Sequence, residues 1–197
     1  MRFLFPFILI ILLLFRLKLK KGDRSMHDRD RMFWERESEA NSVRKQDIEH
    51  LHYITIPENL PHIETNHLEI QKLLHQLEVM RPMKILNLTG MSNTDIKMEY
   101  GPANLPFLSE CDDRFTELAR TIASLGHLLM EEGFISQAMY YLEFGISCNT
   151  DIISNYVDLA TLYHQSGKDE KISALTSQAE ALPSLSKDVI LQKLQAI

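Results

Sequence analysis

The chain has 197 residues, 45% of them hydrophobic, with 21 Lys and Arg against 27 Asp and Glu, enough for one cored domain plus an extra segment. Its charge is split: residues 1–45 hold 11 basic side chains against 6 acidic, whereas residues 46–197 hold 10 against 21. A body that acidic repels nucleic-acid phosphates, which are bound through clustered Lys and Arg, so nucleic acid is excluded as a partner.

The chain opens on an apolar run from Phe3 to Phe15, followed by Arg16, Lys18, Lys20, Lys21 and Arg24. Thirteen helical residues reach about 20 Å, short of the roughly 30 Å of bilayer hydrocarbon. Adding Leu17 and Leu19, with Arg16 and Lys18 snorkelling, brings the run to about 17 residues, the lower limit for spanning. A cleaved secretory signal places its charge before the apolar core and a small-x-small site after it. Here only Arg2 precedes and a basic run follows, so residues 1–21 read as an uncleaved membrane anchor rather than a signal or an interfacial helix. The same bias predicts a single-pass protein of the cell membrane with a cytoplasmic body. Two cysteines, Cys111 and Cys148, fit a reducing compartment.

Residues 22–45 read as a charged juxtamembrane spacer, with Asp28, Arg29, Asp30 and Arg31 alternating ahead of Phe33 and the single Trp34. Opposite charges a turn apart support a solvated helix by a few tenths of a kcal/mol per pair. The two aromatics are expected either at the membrane interface or capping the body. Residues 46–111 form an irregular, mostly helical segment. Within it, Tyr53 to Pro57 alternates like a brief strand, stopped by Pro57 and Pro61. Thr65 to Met80 carries Leu68, Leu73, Leu74 and Leu77 on one stripe and predicts an amphipathic helix ended before Pro82. Ile85 to Leu108 is rich in turn residues.

Residues 112–197 hold the repeat. Asp112 and Asp113 are the N-cap candidates of a long helix that ends at Gly133, and its partner runs from Ser136 to Cys148. A second hairpin is capped by Asn149, Thr150 or Asp151, turns at Gly167 and ends at Pro183. Residues 186–196, capped by Ser186, put Val189, Ile190 and Leu194 on one face, as a closing helix would. Laid on one another, residues 119–152 and 153–186 match at a spacing of 34: Leu125 on Leu159, Gly126 on Ala160, Leu129 on Tyr163, Gly133 on Gly167, Ala138 on Ile172 and Gly145 on Ala179. Such a period marks helix-turn-helix units whose lone hairpins cannot bury their apolar faces.

Leu118 to Leu182 therefore resembles a pair of tetratricopeptide repeats, with departures at Ile172 and Thr176, where a small residue and an aromatic are usual. The wider pattern, Phe33-Trp34-Glu35-Arg36, Ala40-Asn41, Arg44-Lys45, Tyr53 to Pro57, Asn87-Leu88-Thr89-Gly90 and Ser92-Asn93-Thr94-Asp95 behind an apolar start, resembles membrane-anchored repeat proteins of Gram-positive bacteria, a resemblance that brings no activity with it. The fold expected is all-α: a membrane helix, then a short solenoid of tetratricopeptide-like hairpins with a capping helix. In such repeats the first helix of each hairpin lines a concave groove. Here that implies Arg120, Ala123, His127, Met130, Glu131, Ser154, Val157, Thr161, His164 and Gln165. The Lys and Asn clamp for a terminal carboxylate has no match in this set, which implies a neutral or mildly amphipathic peptide or helix.

Other chemistry is weaker. His50, His52, His62, His67 and His75 stand at no recognised ligand spacing, so no metal is expected. Asp112 with Asp113 and Glu131 with Glu132 are helix-end residues first. Neither cysteine has a nucleophile's partner motif, and no Gly-x-Gly run cradles a phosphate or cofactor. Asn87-Leu-Thr is formally a glycosylation acceptor, relevant only in a eukaryotic secretory setting. The sequence thus predicts a membrane-held protein-interaction adaptor and not an enzyme. The alternatives are a regulatory or catalytic role in residues 46–108, whose Asn-Thr-Asp and Tyr-Gly-Pro turns are polar, or an exported cell-envelope protein.

Overall fold

The computed structural model describes residues 26–197; the expected anchor, residues 1–21, lies outside them. Among the described residues all regular structure is helical, with no strand, and no helix is long and apolar enough to cross a membrane. The chain forms two compact units.

The first unit holds the described residues up to Asp47 together with Ser92–Leu105. Its elements are α1, described over 26–42, α3 (Asn93–Tyr100) and a 3-10 turn (Pro102–Asn104). Ser92 starts α3 with a capping box: its hydroxyl accepts from the Asp95 N–H at 3.2 Å, and the Asp95 carboxylate accepts from the Ser92 N–H at 2.9 Å. Polar side chains join α1 to α3. Arg36 donates to Asp95 at 2.5 Å, Thr94 donates to Glu37 at 2.8 Å, and Lys97 donates to Glu37 and, at 3.0 Å, to Asn41.

The second unit, Ile48–Met91 with Pro106–Ile197, carries α2 (Leu68–Met80), α4 (Leu105–Glu131), α5 (Ile135–Ser147), α6 (Ile153–Gln165), α7 (Glu170–Glu180) and α8 (Lys187–Leu194). The expected strand at 53–57 is not formed. Tyr53 to Ile56 has no regular secondary structure, and its one backbone bond to a residue distant in sequence runs from Ile54 N–H to Ile85 C=O at 2.8 Å, too little for a ladder. The α2 stripe is Ile70, Leu73, Leu77 and Met80, all buried, while Leu68 is 81% exposed. Leu68 is the helix's first residue, and the steps of three, four and three from Ile70 give the tighter face.

The long helix begins at Leu105, not at Asp112. Pro106 fits its first turn, where no N–H partner is needed. Leu108, Cys111, Phe115, Leu118, Ile122, Leu125 and Leu129 then bury one stripe at alternating steps of three and four. Asp112 lies inside that helix, and its carboxylate accepts from the Leu88 N–H at 2.8 Å. One core joins Ile56, Ile70, Leu73 and Leu77 to Phe115, Leu118, Ile122, Tyr141, Leu142, Tyr156, Leu159, Leu175 and Ile190.

The turns after α4 and α6 repeat bond for bond. Gly133 N–H reaches Met130 C=O at 3.2 Å and Phe134 N–H reaches Leu129 C=O at 2.8 Å. Thirty-four residues on, Gly167 N–H reaches His164 C=O at 3.1 Å and Lys168 N–H reaches Tyr163 C=O at 2.8 Å. This is a Schellman end, and the glycines supply its left-handed residue, at φ of 80° and 66°. Short connections make the α4–α5 and α6–α7 pairs helical hairpins. α5 packs on α6, and α8 packs on both α6 and α7. Ile190 and Leu194 of α8 are buried while Val189 is 41% exposed, so the closing face is narrower than its sequence suggests.

Candidate interaction groove

Small residues set the helix spacing. A Cβ on Gly126 would come within 2.5 Å of Leu142 Cδ2, and one on Gly145 within 2.6 Å of Asn155 Oδ1 and 3.0 Å of Ile122 Cγ2. The buried Asn155 amide donates to Leu142 C=O at 2.9 Å, locking α6 against α5. This close stacking leaves the solvent side of α4 flanked by α2 and α6 as an open groove of two cavities.

The α2–α4 cavity, about 490 Å³, is lined by Leu73, Gln76, Asp113, Thr116, Glu117, Arg120, Thr121 and Ser124. The α4–α6 cavity, about 280 Å³, is lined by Arg120, Ala123, Ser124, His127, Ile152, Ser154 and Asp158. Arg120 and Ser124 belong to both. Of the residues expected in a groove, Arg120, Ala123, His127 and Ser154 meet here. Glu131 joins through its carboxylate, 3.5 Å from His127 Nε2, while His127 Nδ1 lies 3.0 Å from Asp158 Oδ2. Met130, Val157, Thr161, His164 and Gln165 line neither cavity. His164 is drawn instead to Asp169 Oδ1 at 2.8 Å, and the Thr161 hydroxyl donates to Val157 C=O at 2.8 Å.

The sequence reading missed Asp113, Glu117, Ser124 and Asp158, and with them the groove's sign. Helical spacing carried the signal: Asp113, Arg120 and His127 are seven apart on one stripe of α4, and Asp158 lies one turn beyond Ser154 on α6. With these residues included the groove is acidic, whereas the expected set, with one Arg and one Glu, pointed to a neutral or mildly amphipathic partner. Gln76 donates to Glu117 at 3.0 Å, whereas Arg120 and Asp113 engage no hydrogen-bond or ion-pair partner among the described residues.

A further cavity of about 280 Å³ lies among α5, α6 and α7, where Glu143 accepts from Tyr163 Oη at 2.6 Å and from Lys171 Nζ at 3.0 Å. Burial pushes the Glu143 carboxyl up, but these bonds outweigh it and hold its pKa below the ordinary value of 4.5. Glu143, Tyr163 and Lys171 thus satisfy one another across it.

The polar turns of residues 46–108 are taken up by the fold. Asn87 donates to Cys148 C=O and Asn149 C=O, both at 3.0 Å, and accepts from the Thr89 N–H at 2.9 Å. Asp95 is occupied by Ser92 and Arg36. Of the histidines, His67 caps α2, its Nδ1 accepting from the Ile70 N–H at 3.4 Å. Among the described residues no group of three or more His, Cys, Asp or Glu is arranged to hold a metal ion. Both cysteines are buried, and burial raises the Cys111 thiol and pushes Cys148 to about 11, so neither supplies a thiolate at neutral pH. On α1, Trp34 is 67% and Phe33 53% exposed.

No protein-family model matches the chain, and neither the curated proteins nor the solved structures give a match.

Proposed function

We propose that the protein is a membrane-anchored interaction adaptor, without enzymatic activity, whose tetratricopeptide-type hairpins present the α2–α4–α6 groove to a peptide segment of another protein. The observation that carries this reading is the groove itself: two adjoining cavities of about 490 and 280 Å³ on one stripe of α4, with the Arg120 guanidinium between them, unpaired among the described residues. The identical glycine turns 34 residues apart support the repeat assignment. The apolar run ending at Phe15 and the five basic residues after it support an anchor with the body in the cytoplasm.

Proximity labelling from a carboxy-terminal tag in native cells tests compartment and neighbours together. Cytoplasmic proteins should be labelled, and the tag should resist protease until the cells are lysed. Tag cleavage in intact cells, or a mature chain starting near residue 22, would instead identify an exported envelope protein.

A further inference from the structure

Resting on the adaptor reading and giving it a partner class, we propose that the groove reads an alternating charge pattern, docking an extended segment that presents a cation, an anion and a second cation in that order.

The lining alternates in the same way. Asp113 and Glu117 make the α2–α4 cavity acidic, and Arg120 stands where the two cavities meet. Asp158 makes the α4–α6 cavity acidic, with Glu131 beside it across His127. Asp113, Arg120 and His127 are seven residues apart along α4, or about 10.5 Å per step, which an extended chain covers in about three residues. Arg120 has no partner among the described residues, and a guanidinium offers paired donors that fit one carboxylate. The side chain of Asp158 is 12% exposed and meets a single ring nitrogen, which leaves acceptor capacity for a Lys or Arg head group. A partner of uniform negative charge would meet these carboxylates, and one of uniform positive charge would set a cation against Arg120. The alternating order satisfies all three positions.

The test uses the full chain in detergent micelles and three fluorescein-labelled synthetic peptides, identical except at positions three residues apart. One carries Lys, Glu and Lys there, one Glu, Lys and Glu, and one Ser at each. Fluorescence anisotropy should show the Lys-Glu-Lys peptide binding at least tenfold more tightly than the other two, with the preference shrinking as salt is raised. Arg120→Glu, a change at an exposed position whose melting curve is measured alongside, should weaken that peptide tenfold or more. Changing the peptide's central Glu to Lys should then restore binding to the variant. Equal binding of the three peptides, no binding of any, or a variant that the swapped peptide does not rescue would overturn the proposal. A partner cross-linked at Ser124 equally in wild type and Arg120→Glu would overturn the charge reading and leave the adaptor reading standing.

Discussion

Gly145 and Asn155 show how single residues hold the groove's frame. A methyl group on Gly145 would press on a buried amide already bonded to Leu142 C=O, so Gly145→Ala is expected to cost about 1–3 kcal/mol in chemical denaturation. Because the tightest contact is with that side chain, at 2.6 Å against 3.0 Å for Ile122 Cγ2, the Gly145→Ala, Asn155→Ala double variant should lose less than the sum of the singles; strict additivity would show that the two residues do not share the strain. Asn87 separates the packing reading of residues 46–108 from a regulatory one. Its amide bridges two carbonyls at the end of α5, so Asn87→Asp, which sets a carboxylate against them, should lower the melting temperature more than Asn87→Ala. Unchanged stability in both variants, with a cellular phenotype, would instead mark a functional site. Glu143 contributes to the pH dependence, beside Glu37 and Asp95, whose carboxyls are also held below their ordinary values by hydrogen bonds. Its folded pKa lies below the ordinary 4.5, so its stabilising effect is complete above that value and is lost as pH falls through the folded pKa. Glu143→Gln should therefore flatten the acid side of a stability-against-pH profile; a profile that stays as steep would assign the acid loss to other carboxylates.

Among the elements, what was legible in the sequence is what depends on local spacing. The two glycine turns, the ends of the α4–α5 and α6–α7 hairpins and the closing helix all lie within a few residues of where the sequence puts them, because a left-handed residue and a periodic stripe are local properties. The start of α4 was not legible, since Asp112 and Asp113 look like a cap until the stripe is followed back to Leu108. Pairing was not legible either: the alternation at Tyr53 to Pro57 is met by one distant backbone bond, from Ile54 N–H to Ile85 C=O, and no sequence period tells an irregular strap from a strand. The groove was half legible. The α4 positions follow from hairpin geometry, but α2 as its second wall depends on contacts between residues far apart in sequence. The turns yield a paired prediction. A Cβ at Gly133 or Gly167 meets open space, yet both residues sit at positive φ, so Ala at either should cost about 1–2 kcal/mol through the backbone alone. Thermal unfolding that leaves either variant unchanged would contradict a left-handed turn there.

For the molecule as a whole, the central feature is a core that runs from α2 through the hairpins to α8. Ile70, Leu73, Leu77 and Met80 are buried in it, and each is worth about 1.5–3 kcal/mol, together comparable to the net stability of a domain. Residues 112–197 expressed without the preceding segment should accordingly show a broad, low-temperature loss of helicity by circular dichroism, where residues 46–197 melt cooperatively. Equal melts would show that the hairpins need no amino-terminal wall. The same continuity keeps the α4 stripe between α2 and α6 and so creates the surface on which an adaptor role depends. A photoreactive residue at Ser124, which borders both cavities, tests that role most directly when set against one at Ser173, exposed on α7. An adaptor groove should give a discrete protein adduct from Ser124 in native cells and none from Ser173; no adduct from Ser124, or the same adducts from both positions, would contradict that role.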